Sequence, residues 1–187
     1  MRKLKLQSQI SIDGFIAGPN HEMNWLKLPW SEDLINYVRE FTEPIDTVLL
    51  GKNLAEGFIP YWNQIAKSPE SPDYEGGIKF SNTPKIVFTK SLLESKWENT
   101  VVNNGDLVNE INQLKQQNGG DMVAYGGAKF VSSLIKNNLI DEYHLMINPT
   151  AIGKGMPIFN ELPENLTLNL SDCLKFECGI AVMKYTK

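Results

Sequence analysis

Apolar side chains at Leu4, Leu6, Ile10 and Ile12, with Ser8 in phase between them, recur at every second residue. That period predicts a strand with one buried face, ended by Asp13-Gly14. Residues 14–30, with Gly14, Gly18, Pro19, Asn20 and Pro29, read as a long loop. Ordered loops of such length are more often functional than decorative. Ser31 then stands as an N-cap before Glu32 and Asp33, and Leu34, Ile35, Val38 and Phe41 supply one apolar helix face.

The pattern repeats down the chain. Thr47-Val48-Leu49-Leu50 reads as a buried strand stopped by Gly51, and Lys52–Phe58 as a short helix. Pro60–Asn82, rich in Pro, Gly and Ser, reads as a second long loop. Lys85–Phe88 is a strand closed by Thr89-Lys90-Ser91, and Val101-Val102 suggest one more. Leu107, Val108, Ile111 and Leu114 keep helical spacing up to Gly119-Gly120. Met122–Tyr125 is a strand that runs into Gly126-Gly127 and then a helix carrying Phe130, Val131, Leu134 and Ile135. Ile140–Ile147 is a further strand and Pro149–Phe159 a Gly-Pro-rich turn. Leu166–Leu174 and Phe176–Tyr185 form an alternating hairpin.

Strands alternating with helices predict a mixed α/β fold in one domain over residues 1–187. Its sheet is mostly parallel, covered on both faces, and closed by an antiparallel C-terminal hairpin. Composition agrees with an ordinary globular protein: 187 residues, 42% hydrophobic and 21% charged. A net charge of −4 argues against a nucleic-acid binder, which needs a basic face. The N-terminus lacks the apolar core of a signal peptide, and no apolar run of about 18 residues predicts a membrane span. The expectation is a cytoplasmic protein with Cys173 and Cys178 reduced and half-buried. His21 and His144 fall in no metal-spaced cluster, so no metal site is expected.

Three strands end in residues suited to a dinucleotide: Leu50 runs into Gly51-Lys52, Phe88 into Thr89-Lys90-Ser91, and Tyr125 into Gly126-Gly127. In a parallel sheet all three ends share one edge. There, helix N–H groups and small hydroxyls can hold a pyrophosphate, and Lys52 and Lys90 can face a further phosphate. A glycine pair at a strand-to-helix turn is also how an α/β chain turns a tight corner.

In chain order the blocks Ser11-Ile12-Asp13-Gly14-Phe15-Ile16-Ala17, Leu49-Leu50-Gly51-Lys52, Tyr125-Gly126-Gly127-Ala128, Leu139-Ile140-Asp141-Glu142 and Ile152–Phe159 resemble the dihydrofolate reductase-like family. The resemblance is closest to the branch related to the reductase domain of the bifunctional riboflavin-biosynthesis deaminase/reductase. It runs from near residue 8 to near residue 185. It implies a dihydrofolate reductase-like three-layer α/β sandwich, a homodimer, and NADPH-dependent reduction of a small heterocycle, most in keeping with the riboflavin-pathway aminouracil or a pterin or pyrimidine relative.

By match to those motifs, Gly51 and Lys52 would lie under the cofactor phosphates, and Thr89, Lys90 and Ser91 would border the adenosine ribose and its 2′-phosphate. Gly126, Gly127, Ala128 and Lys129 would meet the pyrophosphate, and Ala17 would approach the nicotinamide. The family commonly places arginine after the first glycine and threonine three places past it; here Lys52 and Leu54 stand there. Lysine meets phosphate only as a point charge, and Leu54 supplies no hydroxyl.

Two acids are placed to help with a proton, Asp13 at the end of the first strand and Asp33 at the start of the following helix. A carboxyl in an apolar cleft has its pKa raised and can donate near neutrality. Each also has a structural explanation, Asp13-Gly14 as a turn pair and Asp33 as a partner of the helix dipole. Trp25, Trp30 and Trp62, on the two long loops, are candidates to stack on a flat substrate ring or to anchor those loops to the core. Two other functions stay open: a true dihydrofolate reductase, and a nucleotide-binding module of the same fold without turnover.

Overall fold

The computed structural model describes residues 1–187. The buried runs of the sequence become strands β1 (Leu4–Ser11), β2 (Phe15–Ala17), β3 (Ile45–Gly51), β4 (Lys85–Phe88), β5 (Thr100–Asn103), β6 (Asp121–Tyr125), β7 (Glu142–Asn148), β8 (Met156–Pro157), β9 (Asn169–Lys175) and β10 (Ala181–Thr186). The helices are α1 (Glu32–Thr42), α2 (Lys52–Ile65), α3 (Tyr74–Asn82), α4 (Leu107–Gln116) and α5 (Ala128–Lys136). Eight strands form one sheet in the order β5-β4-β3-β6-β1-β7-β10-β9, while β2 and β8 pair separately. The first six are mutually parallel; β10 joins β7 antiparallel and β9 closes the edge. This is the mostly parallel sheet with an antiparallel end that the alternation of strand and helix patterns implied.

Side-chain alternation along the strands builds two packed layers around the sheet. Leu4 and Leu6 of β1, Leu49 of β3, Met122 and Ala124 of β6 and Tyr143 of β7 face α4 and α5, where Ile111, Val131, Leu134 and Ile135 cover them. On the opposite face, Val48, Leu50, Val87 and Val123 pack against Ala55 and Ile59 of α2, Phe80 of α3 and Phe41 of α1. Leu34 of α1 meets Met146, Ile180 and Val182. Each such fully buried aliphatic side chain stabilises the fold by roughly 1.5–3 kcal/mol relative to exposure.

The second long loop is not a loop. α2 continues through Pro60 to Ile65, and α3 occupies Tyr74–Asn82. Pro60, Glu56 and Gly57 are all exposed, so water reaches the carbonyl that the proline leaves without a donor. Gly77 is buried because α3 crosses the end of α2 there: a Cβ on Gly77 would stand 2.7 Å from the Ala66 backbone nitrogen. The glycines that suggested a loop mark a close helix contact. The first long loop is also shorter than its sequence suggested, since Phe15–Ala17 pairs with Met156–Pro157 inside the expected Gly-Pro turn. The hairpin strands are trimmed to Asn169–Lys175 and Ala181–Thr186. Cys173 is exposed and not half-buried, Cys178 is intermediate, and both thiols are free. No helix is long and apolar enough to cross a membrane.

Candidate functional site

Because β4, β3 and β6 are adjacent and parallel, their carboxyl ends lie side by side, and the segments that follow meet there. Gly51 ends β3 under Phe130 of α5, where an added Cβ would come within 2.7 Å of the phenylalanine β-carbon. Gly126 lies close against Ile16 of β2, whose Cδ1 an added Cβ would crowd at 3.2 Å, and a Cβ on Gly127 would meet Leu54 of α2 at an ordinary 3.6 Å. The structure thus brings Ala17 and its strand, Gly51-Lys52, Gly126-Gly127 and Ala128-Lys129 to one edge. Gly127 holds φ +88°, a conformation that side-chain-bearing residues adopt rarely.

Two helices start at this edge without any internal partner for their first N–H groups. α2 begins at Gly51 and α5 at Gly127, and neither has a side-chain cap or an acid in its first turn. The other three differ: α1 carries Glu32 and Asp33, α3 carries Glu75, and α4 carries Glu110 with Asp106 as a bonded cap. Free N–H groups and the positive ends of two helix dipoles therefore converge on one place with no anion of the chain to answer them. That is the electrostatic requirement of a phosphate or pyrophosphate site.

The β4 end supplies hydroxyls, and the start of α2 sets a cation beside them. Thr89 Oγ1 and Ser91 Oγ lie 3.2 Å apart, and Lys52 Nζ donates to Ser91 Oγ at 2.9 Å. Lys90 behaves differently from Lys52. Its ammonium is spent on the carbonyls of Asn104 and Gly105, the latter at 2.8 Å, and so turns toward the β5 side. Lys129 is exposed on the first turn of α5.

Asp13 sits on a turn and Asp33 at the start of α1, neither in an apolar cleft, and the expected rise in pKa is reversed in both. Asp13 is exposed and accepts from Ser11 Oγ and from the backbone N–H groups of Ile152 and Gly153, the latter at 2.7 Å. The Ser11 hydroxyl foremost holds its pKa below the usual value. Asp33 accepts from Ser31 Oγ at 2.5 Å and from the Glu177 N–H at 3.0 Å, and the Ser31 hydroxyl again lowers its pKa. Each carboxylate stays ionised near neutrality and ties two distant segments together.

The tryptophans separate as well. Trp25 is buried and its indole donates to the Glu22 carbonyl at 3.1 Å, anchoring its own loop. Trp30 packs beside Leu34 and Met146, with an indole N–H that is buried and has no partner. Trp62 is on α2, not on a loop, and packs edge-on to Phe58 at 5.9 Å and against Phe80. Ten residues into the helix, it lies away from the α2 start that faces the site.

Sequence reasoning missed a groove on the α1–α2 side of the sheet. α1 covers β7 and β10 while α2 covers β3, β4 and Val123 of β6, so only Tyr125 at the end of β6 and the side chains of β1 between them are left as a floor. Tyr125, Gln7 and Gln9 form that floor, with Tyr125 paired laterally to Gln7. Phe41 against His144, with ring centroids 4.5 Å apart, closes its lower end. Its upper end reaches the Gly126-Gly127 edge. Polar residues at inward positions of an otherwise apolar β1 were the available signal.

A largely parallel sheet closed by an antiparallel pair, with uncapped helix starts at its carboxyl edge, defines a dihydrofolate reductase-like fold. Residues 2–182 match the RibD C-terminal domain family, and the chain belongs to that family. The uncharacterized proteins YyaP and YwjB of Bacillus subtilis (strain 168) are 28% and 27% identical to it, over 98% and 94% of this chain and 94% and 92% of their own. Among solved structures, a candidate riboflavin biosynthesis protein of Shewanella sp. PV-4 superposes with a TM-score of 0.75 at 20% identity, covering 100% of this chain and 98% of that one. The Thermotoga maritima diaminohydroxyphosphoribosylaminopyrimidine deaminase/5-amino-6-(5-phosphoribosylamino)uracil reductase superposes with a TM-score of 0.71 at 18% identity. The match covers 99% of this chain and only 56% of that one.

Proposed function

We propose that the protein is an NADPH-dependent reductase of a small heterocycle, of the aminouracil reductase type. The observation that carries this reading is the pair of uncapped, acid-free helix starts at Gly51 and Gly127, side by side at the carboxyl edge of a RibD C-terminal domain fold. The residues present fit a dinucleotide. Gly126, Gly127, Ala128 and Lys129 would take the pyrophosphate on backbone N–H groups. Lys52, Thr89 and Ser91 would take the 2′-phosphate, with Lys90 as a neighbour, and Ala17 would border the nicotinamide.

When bound, NADPH supplies the hydride; the protein orients the two reactants and keeps water away. The α1–α2 groove opens onto the same edge and offers the place for a flat ring next to Ala17. Asp13 and Asp33 hold the walls of that edge, through the Ile152-Gly153 turn and the C-terminal hairpin. Trp25 and Trp30 shape the loop above it. In this reading the chain works in the cytoplasm as a homodimer.

Titration with NADPH, read by tryptophan fluorescence and by thermal shift, tests the cofactor half. Saturable binding with a rise in Tm is expected, and no response at millimolar cofactor would sink the reading. Consumption of NADPH in the presence of an aminouracil tests the other half. Leu54 gives a specific reason for a second reading, a nucleotide-binding module without turnover: saturable NADPH binding with no oxidation by any aminouracil, pterin or folate.

A further inference from the structure

The floor of the α1–α2 groove carries polar groups that the fold leaves unanswered. Gln7 is only 7% exposed, yet its amide makes one bond, from Nε2 to the sulfur of Met146 at 3.3 Å, a weak acceptor. Its Oε1 has no partner in the chain and is not sealed from the groove. A buried amide oxygen left in that state costs stability unless something from outside meets it.

Two more groups flank it. Tyr125, the lateral partner of Gln7, lies 5.6 Å from Phe58 by ring centroids, and its hydroxyl has no partner within the chain. Burial pushes its pKa up, so the phenol remains a donor. Gln9 is turned by its neighbours: its Oε1 accepts from Asn148 Nδ2 at 3.1 Å, and Asn148 is fixed in turn by accepting the Lys27 N–H at 2.8 Å. That chain of bonds leaves the Gln9 NH2 group free as a donor. The floor therefore presents a donor at Tyr125, an acceptor at Gln7 and a donor at Gln9. The two acids at this edge are already engaged, Asp33 with Ser31 and Glu177 and Asp13 with Ser11, Ile152 and Gly153.

We propose that Tyr125, Gln7 and Gln9 are the specificity-determining residues of the substrate groove and select a ring with an imide edge, C=O, N–H, C=O, as in a uracil. This rests on the reductase reading above and adds to it the residues that choose the ring. A 2,4-diaminopyrimidine or pterin edge presents donors where this floor also donates, and in its protonated form it needs a carboxylate that none of Tyr125, Gln7 and Gln9 supplies. The same arrangement therefore rejects a dihydrofolate-type substrate through mismatched donors and an unpaired charge.

The test is calorimetric binding of 5,6-diaminouracil and of 2,4-diaminopyrimidine to the full chain saturated with NADPH, for the wild type, Gln7→Leu, Gln7→Glu and Tyr125→Phe. The wild type is expected to prefer the uracil by about tenfold or more. Gln7→Leu and Tyr125→Phe should each raise its Kd by about three- to tenfold, the loss of one neutral hydrogen bond with its partner stranded. Gln7→Glu should shift preference toward the diaminopyrimidine. Circular dichroism and the NADPH Kd, both expected unchanged, separate a lost contact from a lost fold. Equal or reversed preference in the wild type, no uracil binding, or wild-type Kd values in both Gln7→Leu and Tyr125→Phe would overturn the proposal. If NADPH fails to bind while the uracil still binds with these dependences, the cofactor reading falls and the groove assignment stands.

Discussion

Lys52 Nζ donates to Ser91 Oγ at 2.9 Å, joining the start of α2 to the segment after β4 and leaving a cation beside two hydroxyls and the free N–H groups of the helix. Lys90 is engaged with backbone carbonyls, so Lys52 is the ammonium available to an extra phosphate at this edge. Lys52→Ala should therefore lower the ratio of NADPH to NADH affinity by about tenfold, the order expected for one charge-assisted contact at a partly exposed site. Fluorescence titration with both cofactors measures the ratio. An unchanged ratio would place the 2′-phosphate elsewhere.

The two glycines of interest at strand ends answer to different constraints. Gly127 holds φ +88°, and a Cβ there would make only an ordinary 3.6 Å contact with Leu54, so Gly127→Val strains the turn by roughly 1–2 kcal/mol and crowds the N–H groups proposed for the pyrophosphate. The expected outcome is loss of NADPH binding with circular dichroism retained. Gly51→Ala instead drives a methyl group to 2.7 Å from the Phe130 β-carbon, so its first effect is a fall in Tm as α5 is pushed off β3. Parallel Kd and Tm measurements on the two variants distinguish a ligand constraint from a packing constraint.

How far the sequence could be read follows from where each signal is stored. The buried runs Thr47–Leu50, Lys85–Phe88 and Met122–Tyr125 and the apolar stripe of α5 are local patterns, and they became the strands and helix expected of them. Pro60 and Gly77 misled because their reasons lie outside their own segment, in solvent access to one carbonyl and in the crossing of α3 over α2. The strand ends at Gly51, Thr89 and Gly126 could be aligned on paper because parallel strands share an edge. The ammonium of Lys90 could not be placed, since the carbonyls that hold it belong to the turn after β5. The groove floor was hidden for a related reason: Gln7 and Tyr125 become neighbours only through the β1–β6 register.

Asp33 offers a test of structure against chemistry. Its carboxylate accepts from Ser31 and from Glu177, so it joins the start of α1 to the C-terminal hairpin. With its pKa held below the ordinary value by the Ser31 hydroxyl, it does not change charge between pH 5 and 8. Asp33→Ala is expected to lower Tm while kcat stays within about twofold of wild type and the pH profile keeps its shape. A large loss of kcat with unchanged KM and Tm, restored by Asp33→Glu, would return Asp33 to the reacting centre.

His144 sets the response of the fold to mild acid. It is 6% exposed on β7, accepts the Tyr37 hydroxyl on Nδ1 at 2.5 Å, and is faced by Phe41 of α1, Glu142 on its own strand, Lys184 of β10 and Lys5 of β1. Burial, above the opposing pull of Glu142, lowers its pKa from 6.5 to about 4. The unfolded chain therefore binds a proton below pH 6.5 that the native chain refuses until about pH 4, and stability falls as pH drops through that window. The loss reaches at most about 3 kcal/mol, the free energy of a shift of that size. Asp121 and Glu142, whose pKa values are lowered in the fold, add their own losses only near and below the ordinary carboxylate range. The interval from about pH 6.5 to 4.5 thus belongs mainly to His144. Urea unfolding at a series of pH values should show stability declining across that interval in the wild type. The same series should be nearly flat there in His144→Gln, which keeps a polar side chain for Tyr37 and cannot take up the proton. An equal decline in both proteins would assign the acid sensitivity to the carboxylates.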